Sequence, residues 1–144
     1  YRCIIMSNKI DDSIGEWQYY IDNILMARGG VSRAAIHGII DGKRWATTPD
    51  FGEISLSEIQ SCIDGFIEPE KLQTEGIRIA GETFSFVKMD MTDSYIYCKN
   101  PKTGCMICKC KKCIIFSQHD DPNIIGHCSA TTLYLADFLK SFGC

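Results

Sequence analysis

The chain has 144 residues, 45% of them hydrophobic and 23% charged, with a formal net charge of −3. That size and balance describe one globular domain with a single core and exclude a chain disordered over most of its length. The acidic total excludes the strongly basic footprint of a nucleic-acid binder, although Lys99, Lys102, Lys109, Lys111 and Lys112 make the stretch from 99 to 112 locally basic.

In chain order, the first periodic segment runs from about Ser13 to Ala27. Asp12 or Ser13 can cap it, Ile14, Trp17, Ile21, Ile24 and Leu25 follow helical spacing, and Gly29-Gly30 stops it. Next, Ala34 to Ile40, a turn at Asp41-Gly42 and a return through Trp45 to Thr48 read as a hairpin. A short helix is expected over Ser57 to Phe66. Glu75–Ile79, Thr83–Met89, Ser94–Lys99, Cys105–Cys110 and Cys113–Gln118 read as successive strands of an antiparallel meander. A last helix is expected over Ser129 to Phe142, with Leu135, Phe138, Leu139 and Phe142 on one stripe and Gly143 as its stop. The fold class is therefore α+β: a central antiparallel sheet flanked by helices, with the N- and C-terminal helices packed together on one face.

No apolar run reaches the roughly 20 residues that a membrane helix needs. The opening Tyr1-Arg-Cys-Ile-Ile-Met6 is too short for the apolar part of a signal peptide. A cytoplasmic protein is expected, and an odd count of nine cysteines then implies mostly free thiols. Cys105, Cys108, Cys110 and Cys113 form two CxxC pairs, the raw material of a thiolate metal site. On a hairpin turning at Lys111-Lys112, however, Cys108, Cys110 and Cys113 share one sheet face and Cys105 takes the other, so four sulfurs do not converge. No metal or cofactor is expected, and a Cys110–Cys113 disulfide would be strained in so tight a turn. His37, His119 and His127 are dispersed, and no phosphate loop, nucleophile elbow or zinc-protease motif is present. An enzyme is not expected.

Several segments in this order resemble the profilin family: Trp17-Gln-Tyr-Tyr-Ile-Asp-Asn23, Ala34-Ala-Ile-His-Gly-Ile-Ile40, Gly42-Lys-Arg-Trp-Ala46, Phe66-Ile-Glu-Pro69, Gly76-Ile-Arg-Ile-Ala-Gly81 and Leu135-Ala-Asp-Phe-Leu139. The resemblance assigns residues 15–144 to a profilin domain and leaves 1–14 as an extension of unassigned role. It implies a monomeric, cytoskeletal protein that binds monomeric actin and proline-rich peptides and regulates filament assembly. It places Trp17, Tyr20, Trp45 and Phe138 in an exposed polyproline groove between the terminal helices. Aromatic faces suit the flat pyrrolidine rings, and indole or phenol donors suit the peptide carbonyls. Phe138 stands where the family carries Tyr or His, so it stacks without donating.

The same resemblance implies an actin surface of Lys88, Lys99, Lys109, Asn123, Gly126, Ser129 and Thr132, where lysines would meet an acidic partner. Phosphoinositide headgroups are a further implied ligand of the basic strands. Leu133 and Tyr134 stand where many profilins place charged residues, and Tyr97 where many, though not all, carry Arg. These departures motivate a second reading, a divergent profilin with weak actin binding. A cysteine-cluster metal protein is the third.

Overall fold

The computed structural model describes residues 17–144. The expected cap at Asp12 or Ser13, Ile14 and the extension 1–14 lie outside the described residues. Helix α1 occupies residues 17–28. It carries a π-helical turn at Ile21–Leu25, where the Met26 N–H reaches back to the Ile21 carbonyl. Gly29 and Gly30 follow with φ of 80° and 81°, a region that glycine enters without steric cost. A Cβ on Gly30 would lie 2.7 Å from the His127 ring, so glycine also lets α1 end close against the last helix.

Strands β1 (Arg33–Gly38) and β2 (Arg44–Thr47) form the expected hairpin. Helix α2 (Leu56–Gly65) starts earlier than the periodicity alone suggests. Ser55 Oγ accepts from the Glu58 N–H at 3.1 Å and Glu58 accepts from the Ser55 N–H at 2.8 Å, a reciprocal cap. Helix α3 (Glu70–Glu75) was not expected. It follows Pro69 and ends at Gly76, which delays strand β3 to Ile77–Ile79. Strands β4 (Glu82–Asp90), β5 (Tyr95–Lys99), β6 (Gly104–Lys109) and β7 (Cys113–His119) complete the meander. A 3-10 turn at Pro122–Ile124 leads into helix α4 (Ile125–Ser141), a full turn longer at its start than its apolar stripe suggests.

All pairings are antiparallel, and the strand order is β2-β1-β7-β6-β5-β4-β3. The β1–β2 hairpin is thus added to the meander through β7. Side chains alternate across the sheet. Ala34, Ile36, Met106, Cys108 and Ile115 meet Trp17, Ile21 and Leu25 of α1 and Cys128, Leu135 and Leu139 of α4. Ala35, Ile107, Ile114 and Phe116 meet Ile59 and Cys62 of α2 and Leu72 of α3 on the other face. The terminal helices therefore lie together on one face, as their amphipathic patterns require. Being covered on both sides, β7 is buried at every position, which explains its apolar run from Cys113 to Phe116.

Candidate functional site

Four of the predicted side chains form one continuous aromatic series. Trp17 stacks on Trp45 with ring centroids 4.7 Å apart and a 37° tilt. Trp17 meets Tyr20 edge-on at 5.6 Å, and Tyr20 meets Phe138 edge-on at 5.8 Å. Phe142 extends the series at 5.0 Å from Phe138. These distances are those of favourable aromatic pairs. Helix α1 supplies two members, β2 one and α4 the rest, so the series exists only when both ends of the chain are docked.

The series is not the uniformly exposed groove anticipated from sequence. Trp17 is 2% exposed and Tyr20 4%. Both belong to the core under α1, because the helix turns them toward Trp45 and α4 rather than outward. Trp45 and Phe138 are half-buried and present the accessible aromatic surface, together with Tyr19, which is 58% exposed and 6.3 Å from Tyr20. Two residues that place Trp45 were missed. A Cβ on Gly38 would stand 2.7 Å from its indole, so a glycine floor lets the ring lie flat on β1. The Gln18 side chain donates to the Thr47 carbonyl at 2.9 Å and accepts from the Thr47 N–H at 3.2 Å, clamping α1 to β2. The Trp17-Gln18 pairing in sequence offered no signal for that clamp, which depends on tertiary contact.

The residues assigned to actin by resemblance fare unevenly. Lys88 and Lys99 are exposed and lie on the terminal-helix face of the sheet, beyond the area that the helices cover. Lys88 is in register with Tyr97, and its Nζ sits 5.9 Å from the Tyr95 ring. Asn123 and Gly126 are exposed at the start of α4, and Ser129 is half-buried. Two positions need correction. Lys109 follows Cys105 and Ile107 by alternation and so projects to the opposite face from Lys88 and Lys99. Thr132 is fully buried, and its hydroxyl donates to the Cys128 carbonyl at 2.7 Å, so its side chain is unavailable to a partner.

Tyr97 is also turned away from solvent, at 3% exposure, and its hydroxyl lies 3.0 Å from His119 Nε2. His119 Nδ1 is 2.9 Å from the Asp121 carbonyl and must donate to it, so Nε2 accepts and Tyr97 donates. Burial pushes the Tyr97 phenol above its ordinary pKa. Tyr134 remains exposed, with the Arg28 guanidinium 4.0 Å above its ring, a cation–π pair.

The cysteines divide as the hairpin geometry requires. Cys108, Cys110 and Cys113 lie in the terminal-helix core and Cys105 in the other. Among the described residues, no three His, Cys, Asp or Glu side chains converge as a metal site. Cys62, Cys98, Cys105, Cys108, Cys110, Cys113 and Cys128 are free thiols, and Cys144 is disulfide-bonded. No helix among the described residues is long and apolar enough to cross a membrane.

An antiparallel sheet clasped by its two terminal helices, with aromatic side chains between them, defines a binding module that works through surfaces. The profilin family model matches residues 15–144. Profilin of the fission yeast Schizosaccharomyces pombe is 32% identical over 127 residues, covering 88% of this chain and 98% of the relative. A crystal structure of S. pombe profilin matches with a TM-score of 0.79 at 31% identity, over 89% of this chain and 99% of that one. Mouse profilin IIa, solved in complex with a double repeat from the FH1 domain of mDia1, matches with a TM-score of 0.78 at 24% identity, over 89% and 99% of the two chains. The chain belongs to the profilin family, whose members bind monomeric actin and proline-rich sequences and regulate actin assembly.

Proposed function

We propose that the aromatic series is the proline-rich-peptide site of this protein and that the exposed lysines of strands β4 and β5, with the start of α4, form its actin face. The observation that carries the first assignment is the unbroken contact from Trp45 through Trp17 and Tyr20 to Phe138. Trp45 and Phe138 offer flat faces to pyrrolidine rings. Trp17 and Tyr20 act from beneath, holding those faces in place. An extended polyproline helix is already ordered, so less conformational entropy is lost on docking.

On the actin face, Lys88 and Lys99 supply positive charge, and Asn123 and Gly126 supply exposed backbone and amide groups. Lysines facing an acidic partner act chiefly on the association rate. The domain spans residues 15–144, acts in the cytoplasm as a monomer and is not an enzyme: it catalyses no covalent reaction of a substrate. Lys88 and Lys99 also suit anionic phosphoinositide headgroups, tested by co-sedimentation with vesicles that contain them. A weaker actin interaction has its own support in the inward-turned Tyr97 and in Leu133 and Tyr134 at positions where many profilins place charge.

Two assays test the assignment. The folded protein should be retained on immobilised polyproline and should bind monomeric actin in a fluorescence titration. Retention without actin binding selects the divergent reading, and loss of both rejects the proposal.

A further inference from the structure

Two pairs of free cysteines face each other directly across neighbouring strands. Cys98 of β5 is in register with Cys105 of β6. Cys110 and Cys113 close the β6–β7 hairpin, where the Cys110 N–H donates to the Cys113 carbonyl at 2.8 Å. Directly opposed residues of this kind have Cα atoms about 5.5 Å apart, inside the span of about 4.4–6.8 Å that a disulfide bridges. The Cys98 thiol donates to the Cys105 carbonyl at 3.7 Å and the Cys105 thiol to the Met106 carbonyl at 3.8 Å, whereas the Cys113 thiol acts on the Cys110 sulfur.

Their surroundings differ. Cys98 and Cys105 are fully buried beneath α2, in an apolar layer with Ile96 and Ile107. Burial and the neighbouring Cys98 hold the Cys105 thiol well above its ordinary pKa. Cys110 and Cys113 are buried too, at 2% and 0% exposure, but Cys110 sits at a hairpin tip next to the exposed Lys111, and its thiol donates to the Ala136 carbonyl of α4 at 4.0 Å. The Cys113 thiol donates to the Cys110 sulfur, and Lys140 and Lys109 add positive charge. Together these lower the Cys110 pKa despite burial, while Cys113 is held well above its usual value. One sulfur is thus disposed to be the nucleophile and the other to remain protonated beside it.

We propose that Cys110 and Cys113 form a peroxide-sensitive dithiol, with Cys110 the reacting sulfur and Cys113 the resolving one. The Cys110 thiolate attacks one oxygen of hydrogen peroxide, the O–O bond breaks, and hydroxide leaves with the electron pair. Cys110 is then a sulfenic acid. The Cys113 sulfur attacks the Cys110 sulfur, the S–O bond breaks, and the departing oxygen leaves as water with the Cys113 proton. Peroxide is reduced by two electrons and the dithiol is oxidised to a disulfide. A bridge across so short a turn is strained and therefore readily reduced, which makes the change reversible.

The experiment uses the full chain, exposed to hydrogen peroxide for increasing times, unfolded in acid and alkylated. Trypsin cuts after Lys109, Lys111 and Lys112, so Cys110 and Cys113 fall on separate fragments that only a disulfide joins. The Cys110–Cys113 link should appear about tenfold or more faster than a Cys98–Cys105 link, the factor for one unit of thiol pKa in thiolate population, and dithiothreitol should reverse it. Cys113→Ser should leave Cys110 as a sulfenic acid that dimedone traps. Lys140→Met, which leaves both thiols in place, should slow the reaction. Equal rates for the two cysteine pairs, or oxidation of Cys110 to sulfinic acid without any link, would overturn the proposal.

Discussion

The aromatic series and the basic strands are both assigned to partners, yet they are built on different principles. The aromatic side chains touch one another in sequence from β2 to α4, so each position is fixed by its neighbours. Lys88 and Lys99 stand on adjacent strands, and among the described residues neither forms an ion pair; Lys88 has only the Tyr95 ring beneath it, at 5.9 Å. The first region is a packed site, whose properties depend on the core. The second is a field of charge, whose properties depend on salt and on which sheet face a residue takes.

The sharpest test of that contrast lies within the aromatic series itself. Trp17 is core and Trp45 is half-exposed. Trp17→Ala should lower stability by about 3–5 kcal/mol, the usual cost of emptying a large aromatic site, read from denaturant unfolding. Trp45→Ala should cost less in stability but about 2 kcal/mol or more in peptide binding, as buried aromatic anchors do, while actin binding stays unchanged. Equal effects on both readouts would erase the distinction between supporting and contacting rings.

The charge field breaks differently. Lys99→Glu should slow association with monomeric actin at low salt and lose its effect as salt rises. Lys109→Glu should have little effect, because Lys109 projects from the other face. Stopped-flow kinetics of the two variants separates them. Matching effects would mean that overall charge, not the face, governs encounter.

The sheet edge that carries Trp45 has its own pH dependence. His37 is 1% exposed, its Nδ1 donates to the Gly42 carbonyl at 2.9 Å, and its Nε2 accepts from Arg44 at 3.3 Å. Burial, and next to it the charge of Arg44, lower its pKa, outweighing the bond to Gly42. The unfolded chain then binds a proton at His37 more readily than the native state does. Stability from this group is present above the unfolded value of about 6.5 and is lost as pH falls below it toward the folded value. Thermal unfolding should show a midpoint that drops between pH 7 and pH 5, and His37→Gln should flatten that drop.

The contrast also explains what could be seen in the sequence. The α+β order, the antiparallel sheet and the shared face of the terminal helices follow from apolar periodicity and turn residues, which act locally. Trp17, Tyr20, Trp45 and Phe138 were legible as a group because large aromatic side chains at those places carry the family resemblance. Their degree of exposure was not, since it depends on how α1 seats against β2 through Gln18 and on the space that Gly38 leaves. Lys109 and Thr132 were misplaced for a simpler reason: a residue type reveals charge or polarity, whereas strand alternation and helix rotation decide which side it faces. Helix α3 escaped notice because only Leu72 of its short length is buried, too little to set a period.

The smallest effect expected concerns the missing donor. Phe138→Tyr keeps the edge-on contact with Tyr20 and adds a hydroxyl at the half-buried end of the series. Peptide affinity should hold or improve by ~0.5–1.5 kcal/mol, the net value of a typical hydrogen bond, measured by calorimetry.

Both tryptophans of the chain belong to the aromatic series, so tryptophan emission reports on this site alone. Titration of the folded protein with a polyproline peptide tests the central assignment most directly. A saturable change in emission that Trp45→Ala abolishes, with Trp17 still present, is the predicted result. Unchanged emission over the whole titration, from protein whose unfolding transition is intact, would contradict it and return all four rings to the core.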